Sequence, residues 1–348
     1  MVAEKVDTDL LFKFGIISDI QYVDVPDALN FQQTKLRKYR QSLEIFQKAV
    51  KYWMSSVDNV DIKFALILGD MIDGKSIESK SQFQCMTRLK KISELLPCES
   101  YYCFGNHCHY SFDRVSIVKN FLADKPWLLK PSSKSPDLPC RPSKIYYHWS
   151  PHPGWRFVCV DSYDVSLIGS SSIANKQLAE ELLATNNPND LTMSGTWFNN
   201  LPYEKRRWVP YNGGVSDTQL NWLKQTLQHA KSNSERVVIF SHQPIYAEKK
   251  PQSVIWNSES ILDIIWQAGN VALWIAGHDH DGQYSIDPQG VHHMVPSAPI
   301  ECDDGELAFG HFEVFPSHLV LRWSGKQPTD PVLPWPANQT LLLQSMHL

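Results

Sequence analysis

Apolar residues in this 348-residue chain gather in short, dense runs. Phe12–Ile17, Ile62–Leu68, Tyr101–Phe104, Trp155–Val160, Arg236–Phe240, Val271–Ala276, Val291–Val295 and Leu319–Trp323 are rich in β-branched and aromatic side chains. Most are apolar at consecutive positions, which predicts strands buried on both faces. Between the first two runs the period changes. Leu36, Tyr39, Leu43, Phe46, Val50 and Trp53 recur at three- and four-residue steps and predict a helix with one apolar stripe against a sheet. A second helix is expected from Ser216, whose hydroxyl can cap it while Gln219 reaches back, with Leu220, Leu223 and Leu227 on its buried face. Strands alternating with such helices imply βαβ crossovers, hence an α/β fold with at least partly parallel sheet.

From about 126 to 214 the pattern lapses. Pro, Ser and Asn are frequent there, and Trp149, Trp155, Trp197, Phe198, Trp208 and Tyr211 follow no clear period. This predicts a cap-like insertion within a single domain spanning 1–330, followed by a Pro-rich tail, 331–348, lying over the surface. A hydrophobic content of 43% is enough for a substantial core. The 33 Lys and Arg against 37 Asp and Glu leave a charge of -4 with no long run of either sign, which argues against nucleic acid and anionic membranes as partners. No apolar stretch reaches the length of a membrane span. The N-terminus, MVAEKVDTDLLFKF, lacks the charged-then-apolar order of a secretory leader. Seven Cys without a Cys-x-x-Cys pair fit neither a disulfide framework nor a zinc ribbon; buried, reduced thiols in a cytoplasmic protein are expected, so the sequon at Asn338 carries no weight.

Polar clusters stand where five of the runs end: Ser18-Asp19-Ile20-Gln21, Gly69-Asp70-Met71-Ile72-Asp73, Gly105-Asn106-His107, Ser241-His242-Gln243-Pro244 and Gly277-His278-Asp279-His280. Ligands of open α/β sheets bind outside the carboxyl ends of the strands, so these loops are expected to converge on one crevice. Their Asp, Asn, Gln and His donors, without thiolates, suit Mn, Mg, Fe or Zn ions. Taken singly, Asp19 or Asp70 is a helix cap or turn residue, and His242 a hydrogen-bonded structural histidine. Two imidazoles flanking an acid after a buried strand are costly without a task, and five such clusters in order leave coincidence improbable.

The five clusters resemble the motifs of calcineurin-like metallophosphoesterases, from Asp19 to His280. That resemblance implies a four-layer sandwich of two mixed β-sheets flanked by helices and a centre of two divalent ions. Asp19, Gln21, Asp70 and His280 would hold one ion and Asp70, Asn106, His242 and His278 the other, with His107 as the catalytic group at the leaving oxygen. Two positions depart from the common pattern: Gln21 stands where most members have His, and Cys108 where most have an acid. The thiol leaves open what tunes His107. Gln21, with Phe14-Gly15-Ile16-Ile17-Ser18-Asp19-Ile20-Gln21-Tyr22, Tyr39-Arg40-Gln41-Ser42-Leu43 and Tyr211-Asn212-Gly213-Gly214, is similar to the manganese-dependent ADP-ribose/CDP-alcohol diphosphatases.

Hydrolysis of the diphosphate bond in ADP-ribose and in CDP-alcohols (CDP-choline, CDP-ethanolamine, CDP-glycerol) follows as the expected activity, with Mn favoured over Zn, Fe or Mg, in a monomer. Phe31 and Tyr211 are the candidates for stacking on a nucleotide base, against ordinary packing as the plainer alternative. Arg206, Arg207 and the Lys249-Lys250 pair could assist, although such pairs usually belong to solvated surface. Asp161 is either an outer-sphere group or a cap. The alternatives are a phosphomonoester or phosphoprotein phosphatase or a cyclic-nucleotide phosphodiesterase of the same fold, and a catalytically silent scaffold.

Overall fold

The computed structural model describes residues 9–55, 62–122, 141–247, 249–328, 333–337 and 339–343. Cys140, Asn338 and the start of the expected insertion lie outside them. Twelve strands build two six-stranded sheets. The first contains β1 (Phe12–Ile17), β2 (Ile62–Ile67), β3 (Glu99–Tyr102), β10 (Ala308–Val314), β11 (His318–Gly325) and β12 (Thr340–Leu342), in the order β12-β11-β10-β1-β2-β3. The second contains β4 (Tyr147–His152), β5 (Trp155–Cys159), β6 (Arg236–Phe240), β7 (Val271–Ile275), β8 (Gln283–Ile286) and β9 (His292–Val295), in the order β8-β9-β7-β6-β5-β4. Both are mixed. β1, β2 and β3 run parallel, as do β5, β6, β7 and β9, and the antiparallel strands lie to the outside.

The sheets face each other across an aromatic layer in which Phe157 meets Phe64 and Phe14 edge-on, at 4.9 and 5.0 Å between ring centroids. Helix α1 (Tyr39–Met54) covers the first sheet, burying Tyr39, Ile45, Phe46, Ala49, Val50 and Trp53. Helices α5 (Asp217–Ser232) and α6 (Ser258–Ala268) cover the second, where Leu223, Leu227, Ile261 and Ile265 pack on Val237, Ile239 and Trp274. Two mixed sheets with helices on their outer faces are the expected architecture, and the helix at Ser216 begins as expected.

Three local expectations change. Leu36 is not part of the stripe: it precedes α1, pairs with Leu29 in a short hairpin and is exposed, because the Lys38 N–H is taken by Ile300 O and the helix starts only at Tyr39. Gln219 does not reach back to Ser216. Its amide bonds both backbone groups of Asp161, while the Asp164 carboxylate accepts the Ser216 N–H at 3.1 Å. Among the described residues of the expected insertion, 141–214, β4 and β5 are strands of the second sheet and Trp149 stacks flat on Tyr101 at 3.6 Å. Beyond Val160 that segment runs as loops around α4 (Ile173–Asn186). In the tail, β12 adds an edge strand, and Trp335 is buried against Trp323 at 5.4 Å. Among the described residues no helix is long and apolar enough to cross a membrane.

Candidate metal centre

Each parallel strand that carries a cluster delivers it at its carboxyl end. The loops after β1 and β2 are zipped together: the Gln21 N–H donates to Asp70 O at 2.8 Å and the Tyr22 N–H to Met71 O at 3.0 Å. Four of the eight described non-glycine residues with positive φ are Asp19 (47°), Gln21 (44°), Asp70 (43°) and His278 (71°). Such backbone costs of order 1–3 kcal/mol per residue and persists where surrounding structure imposes it, most often at functional sites. Close approach is also built in. A Cβ on Gly105 would stand 2.2 Å from Asp70 Oδ1 and 2.5 Å from the His242 ring.

The result is one buried cluster. Ligand atoms of Asp19, Asp70 and His242 all lie within 4.8 Å of one another. His242 Nε2 is 3.3 Å from Asp70 Oδ2 and 3.9 Å from Asp19 Oδ1; His280 Nε2 is 3.5 Å from Asp19 Oδ1 and 2.9 Å from the Gln21 amide nitrogen. His278 Nδ1 is 3.2 Å from His242 Nε2. Asn106 lies beside them as the first residue of α3 (Asn106–Ser111), whose N–H groups at His107 and Cys108 donate to Asp70 Oδ1 at 2.8 and 3.3 Å.

The three imidazoles share one arrangement. Each has one ring nitrogen against an outer acceptor: His242 Nδ1 on Leu68 O at 2.9 Å, His278 Nε2 on Asn212 Oδ1 at 2.9 Å, His280 Nδ1 on Glu301 Oε1 at 2.8 Å. A proton donated outward leaves the inner nitrogen with a lone pair, facing carboxylates in His242 and His280 and the His242 ring in His278, which is how histidine ligands are oriented at metal sites. Asp19 Oδ1 and Gln21 Oε1 are buried and have no hydrogen-bond partner in the protein. Unpaired buried oxygens beside inward-facing imidazole lone pairs form a cation cradle of hard oxygen and borderline nitrogen donors, so these residues fit a pair of divalent ions.

Burial opposes charge on every group here. Even so, His280, 3.5 Å from Asp19 Oδ1, and the charge of His242 hold Asp19 below the usual carboxylate range, and His242 and His107 hold Asp70 well below it. Desolvation pulls the imidazoliums of His242 and His280 down, but Asp70 and Asp19 for the one, and Glu301 and Asp19 for the other, outweigh it and raise each to about 9. His278, disfavoured as a cation by burial and by His242, falls to about 3. Cations entering the cradle therefore compete with protons on His242 and His280.

His107 sits at the edge, its Nδ1 accepting the Gly74 N–H at 2.9 Å and lying 3.2 Å from Asp73 Oδ2. The carboxylate that Cys108 does not offer is thus supplied by Asp73, three residues past Asp70. The Cys108 thiol is buried, which pushes it up to about 12. Tyr211 lies 5.6 Å from the His278 ring and 5.8 Å from Trp197, and Trp197 faces Phe31 at 6.2 Å with the rings 21° from parallel. Phe31 is 65% exposed, so core packing does not explain it. The arc of rings leads outward from the cradle.

Other candidates lie elsewhere. Asp161 pairs with the buried Arg114, Arg207 turns to Ser258 and Glu259, and Lys250 is held by Asp279 and Asp281 at 2.9 and 2.8 Å. Glu301, Asn212 and Tyr163, whose hydroxyl donates to Asn106 Oδ1 at 3.3 Å, carry parts of the site that the sequence did not single out. Glu301 follows β9, the fourth parallel strand of its sheet, so the rule that located the other clusters extends to it. It stands six residues past the strand, in the Pro299–Glu301 turn, and was passed over.

Comparison with known proteins agrees with this geometry. A crystal structure of a dimetal phosphatase from Danio rerio superposes with a TM-score of 0.82 at 28% identity, covering 97% of this chain and all of that one. The manganese-dependent ADP-ribose/CDP-alcohol diphosphatase of Bos taurus is 36% identical over 327 residues, 92% of this chain and 94% of that protein. Its Mus musculus counterpart is 36% identical over 322 residues, 91% and 92% of the two chains. The family model described as calcineurin-like phosphoesterase matches residues 12–282, a span that takes in all five strand-end clusters, and the chain belongs to that family.

Proposed function

We propose that the protein is a manganese-dependent hydrolase of the diphosphate bond in ADP-ribose and CDP-alcohols, releasing a nucleoside monophosphate and a phosphorylated sugar or alcohol. The observation that carries this is the continuity between the cation cradle and the aromatic arc Tyr211, Trp197, Phe31, which sets a base-binding surface beside a phosphate-reacting centre. The relatives named above bear that activity in their names.

Asp19, Gln21, Asp70 and His280 would hold one ion and Asp70, Asn106, His242 and His278 the other, with Asp70 shared between the two sets. Bound there, two divalent ions supply Lewis acidity toward the phosphoryl oxygens and acidify a water toward neutral pH. The chain's own groups do the rest. Leu68 O, Asn212 and Glu301 fix the tautomers of the three ligand histidines. Accepting from Gly74 at Nδ1, neutral His107 carries its proton on Nε2, ready for the leaving oxygen, while Asp73 stabilises the ring when charged. Phe31, Trp197 and Tyr211 receive the base, stacking being worth roughly 1–3 kcal/mol per base.

The test is a substrate panel on metal-stripped protein reloaded with Mn²⁺, with products separated. AMP with ribose 5-phosphate from ADP-ribose, and CMP with phosphocholine from CDP-choline, are expected. Turnover confined to a phosphomonoester or a cyclic nucleotide would replace this function with one of the family's other activities, and no turnover at all would favour the scaffold.

A further inference from the structure

Asn106 presents its side-chain amide to two tyrosines. Tyr163 donates its hydroxyl to Oδ1. The Tyr110 phenol meets the same amide, which favours the ionised phenol, as a donated amide N–H does. A phenol oxygen engaged as an acceptor keeps its own O–H for another partner.

Tyr110 follows His107 by three residues on α3, so both side chains stand on one face, with ring centroids 5.3 Å apart. Both lie over Gly74, where a Cβ would come within 3.3 Å of Tyr110 Cδ2 and 3.5 Å of His107 Nδ1. Arg37 brings positive charge to the same place: its Nη1 is 3.5 Å from Asp73 Oδ2, the oxygen that also contacts His107. Tyr163 is fully buried, whereas Tyr110 is 38% exposed and can be reached by a ligand. The His107 side of the cradle therefore offers imidazole, phenol and guanidinium donors.

In diphosphate hydrolysis, water oxygen bonds to one phosphorus and the bond from that phosphorus to the bridging oxygen breaks. The bridging oxygen leaves with the second phosphate, and the products are two phosphomonoesters. A simple aryl phosphodiester has no second phosphate. We propose that Tyr110 is a specificity-determining residue whose hydroxyl donates a hydrogen bond to the departing phosphate of a nucleoside diphosphate substrate, alongside His107. This rests on the diphosphatase function proposed above.

The experiment compares Mn²⁺-loaded wild type and Tyr110→Phe on ADP-ribose, CDP-choline and bis(p-nitrophenyl) phosphate, and measures Mn²⁺ affinity by calorimetric titration of the stripped proteins. A hydrogen bond to a charged group predicts that kcat/KM on both diphosphates falls about 10- to 100-fold. The aryl diester rate and the Mn²⁺ affinity should hold. Equal losses on all three substrates, or weakened Mn²⁺ binding, would mean that Tyr110 only orients Asn106, and unchanged rates throughout would leave the phenol without a role; either overturns the inference. Wild type that turns over the aryl diester but neither diphosphate would overturn the underlying function, and this inference with it.

Discussion

Gln21 combines a φ of 44° with an amide oxygen that is buried and has no partner, next to an unpaired Asp19 oxygen. An orphaned buried acceptor costs about 1–3 kcal/mol, and a cation ligated at Oε1 offsets it. The amide oxygen is a harder donor than imidazole, so in wild type Mn²⁺ should support faster turnover than Zn²⁺ or Fe²⁺. Gln21→His should shift retention toward Zn²⁺ and Fe²⁺, read by titrating each ion into stripped protein. An unchanged metal ranking would make Gln21 a bystander. His107 poses a separate question, because its ring touches Asp73 and Gly74 and accepts nothing from Cys108. His107→Ala should keep both ions while lowering kcat by roughly 10²–10⁴, the loss expected of an acid at the leaving oxygen. Cys108→Ala should leave kcat nearly unchanged, and a deep loss there would contradict the role given to Asp73. The residues of the cradle were legible in the sequence because each follows an apolar strand within a few residues. Asp73, inside a quoted cluster, showed its role only once the turn at Gly74 brought it to His107.

Among the elements, the hairpin of Ala28–Leu29 and Leu36–Arg37 couples the aromatic arc to the outer groups of the cradle. It carries Phe31 at its tip, while Lys35 reaches within 3.5 Å of Glu301, the partner of His280, and Arg37 reaches Asp73, the partner of His107. Phe31→Ala and Trp197→Ala should each raise KM for ADP-ribose and CDP-choline and leave bis(p-nitrophenyl) phosphate largely unaffected, since stacking aids only substrates with a base. Matching losses on both kinds of substrate would reduce the rings to packing. The hairpin was not foreseen: its strands are two residues long, and Leu36 fell into step with the periodicity of α1. Other strands were missed for similar physical reasons. In β10, Gly310, His311 and Glu313 interrupt the apolar run, although the Glu313 carboxylate is satisfied across the ladder by Arg322 at 3.0 Å. In the edge strand β4, Ser150 and Pro151 break it. Strands with unbroken apolar runs announce themselves by composition, whereas strands that bury polar groups satisfied by cross-strand partners, such as β10, do not.

Across the molecule, the cradle draws its donors from both sheets: Asp19, Gln21, Asp70 and Asn106 follow β1, β2 and β3 of one, and His242, His278 and His280 follow β6 and β7 of the other. Below the cradle the sheets are joined by aromatic contacts; at the cradle they are joined by ligand groups that include two buried acids. Divalent ions bound there would act as a clamp between the sheets, and anything that binds only the folded state raises its stability by mass action. At a free concentration one hundred times Kd the gain is about 2.7 kcal/mol per site. For a chain of 348 residues, with an unfolding entropy near 2.1 cal/mol/K per residue, this amounts to a rise in Tm of about 4 °C. Thermal unfolding of stripped protein with increasing Mn²⁺ should show a shift of at least this size, reversed by chelator. Asp70→Ala should abolish most of the shift together with turnover, since in the proposed ligand set its carboxylate would serve both ions. The increment on adding metal is the quantity to compare, because removing one of two facing carboxylates, and the partner of His242, alters the metal-free Tm in its own right. If Asp70→Ala retains the full Mn²⁺-dependent increment, the ions bind elsewhere and the two sheets are not clamped through this centre.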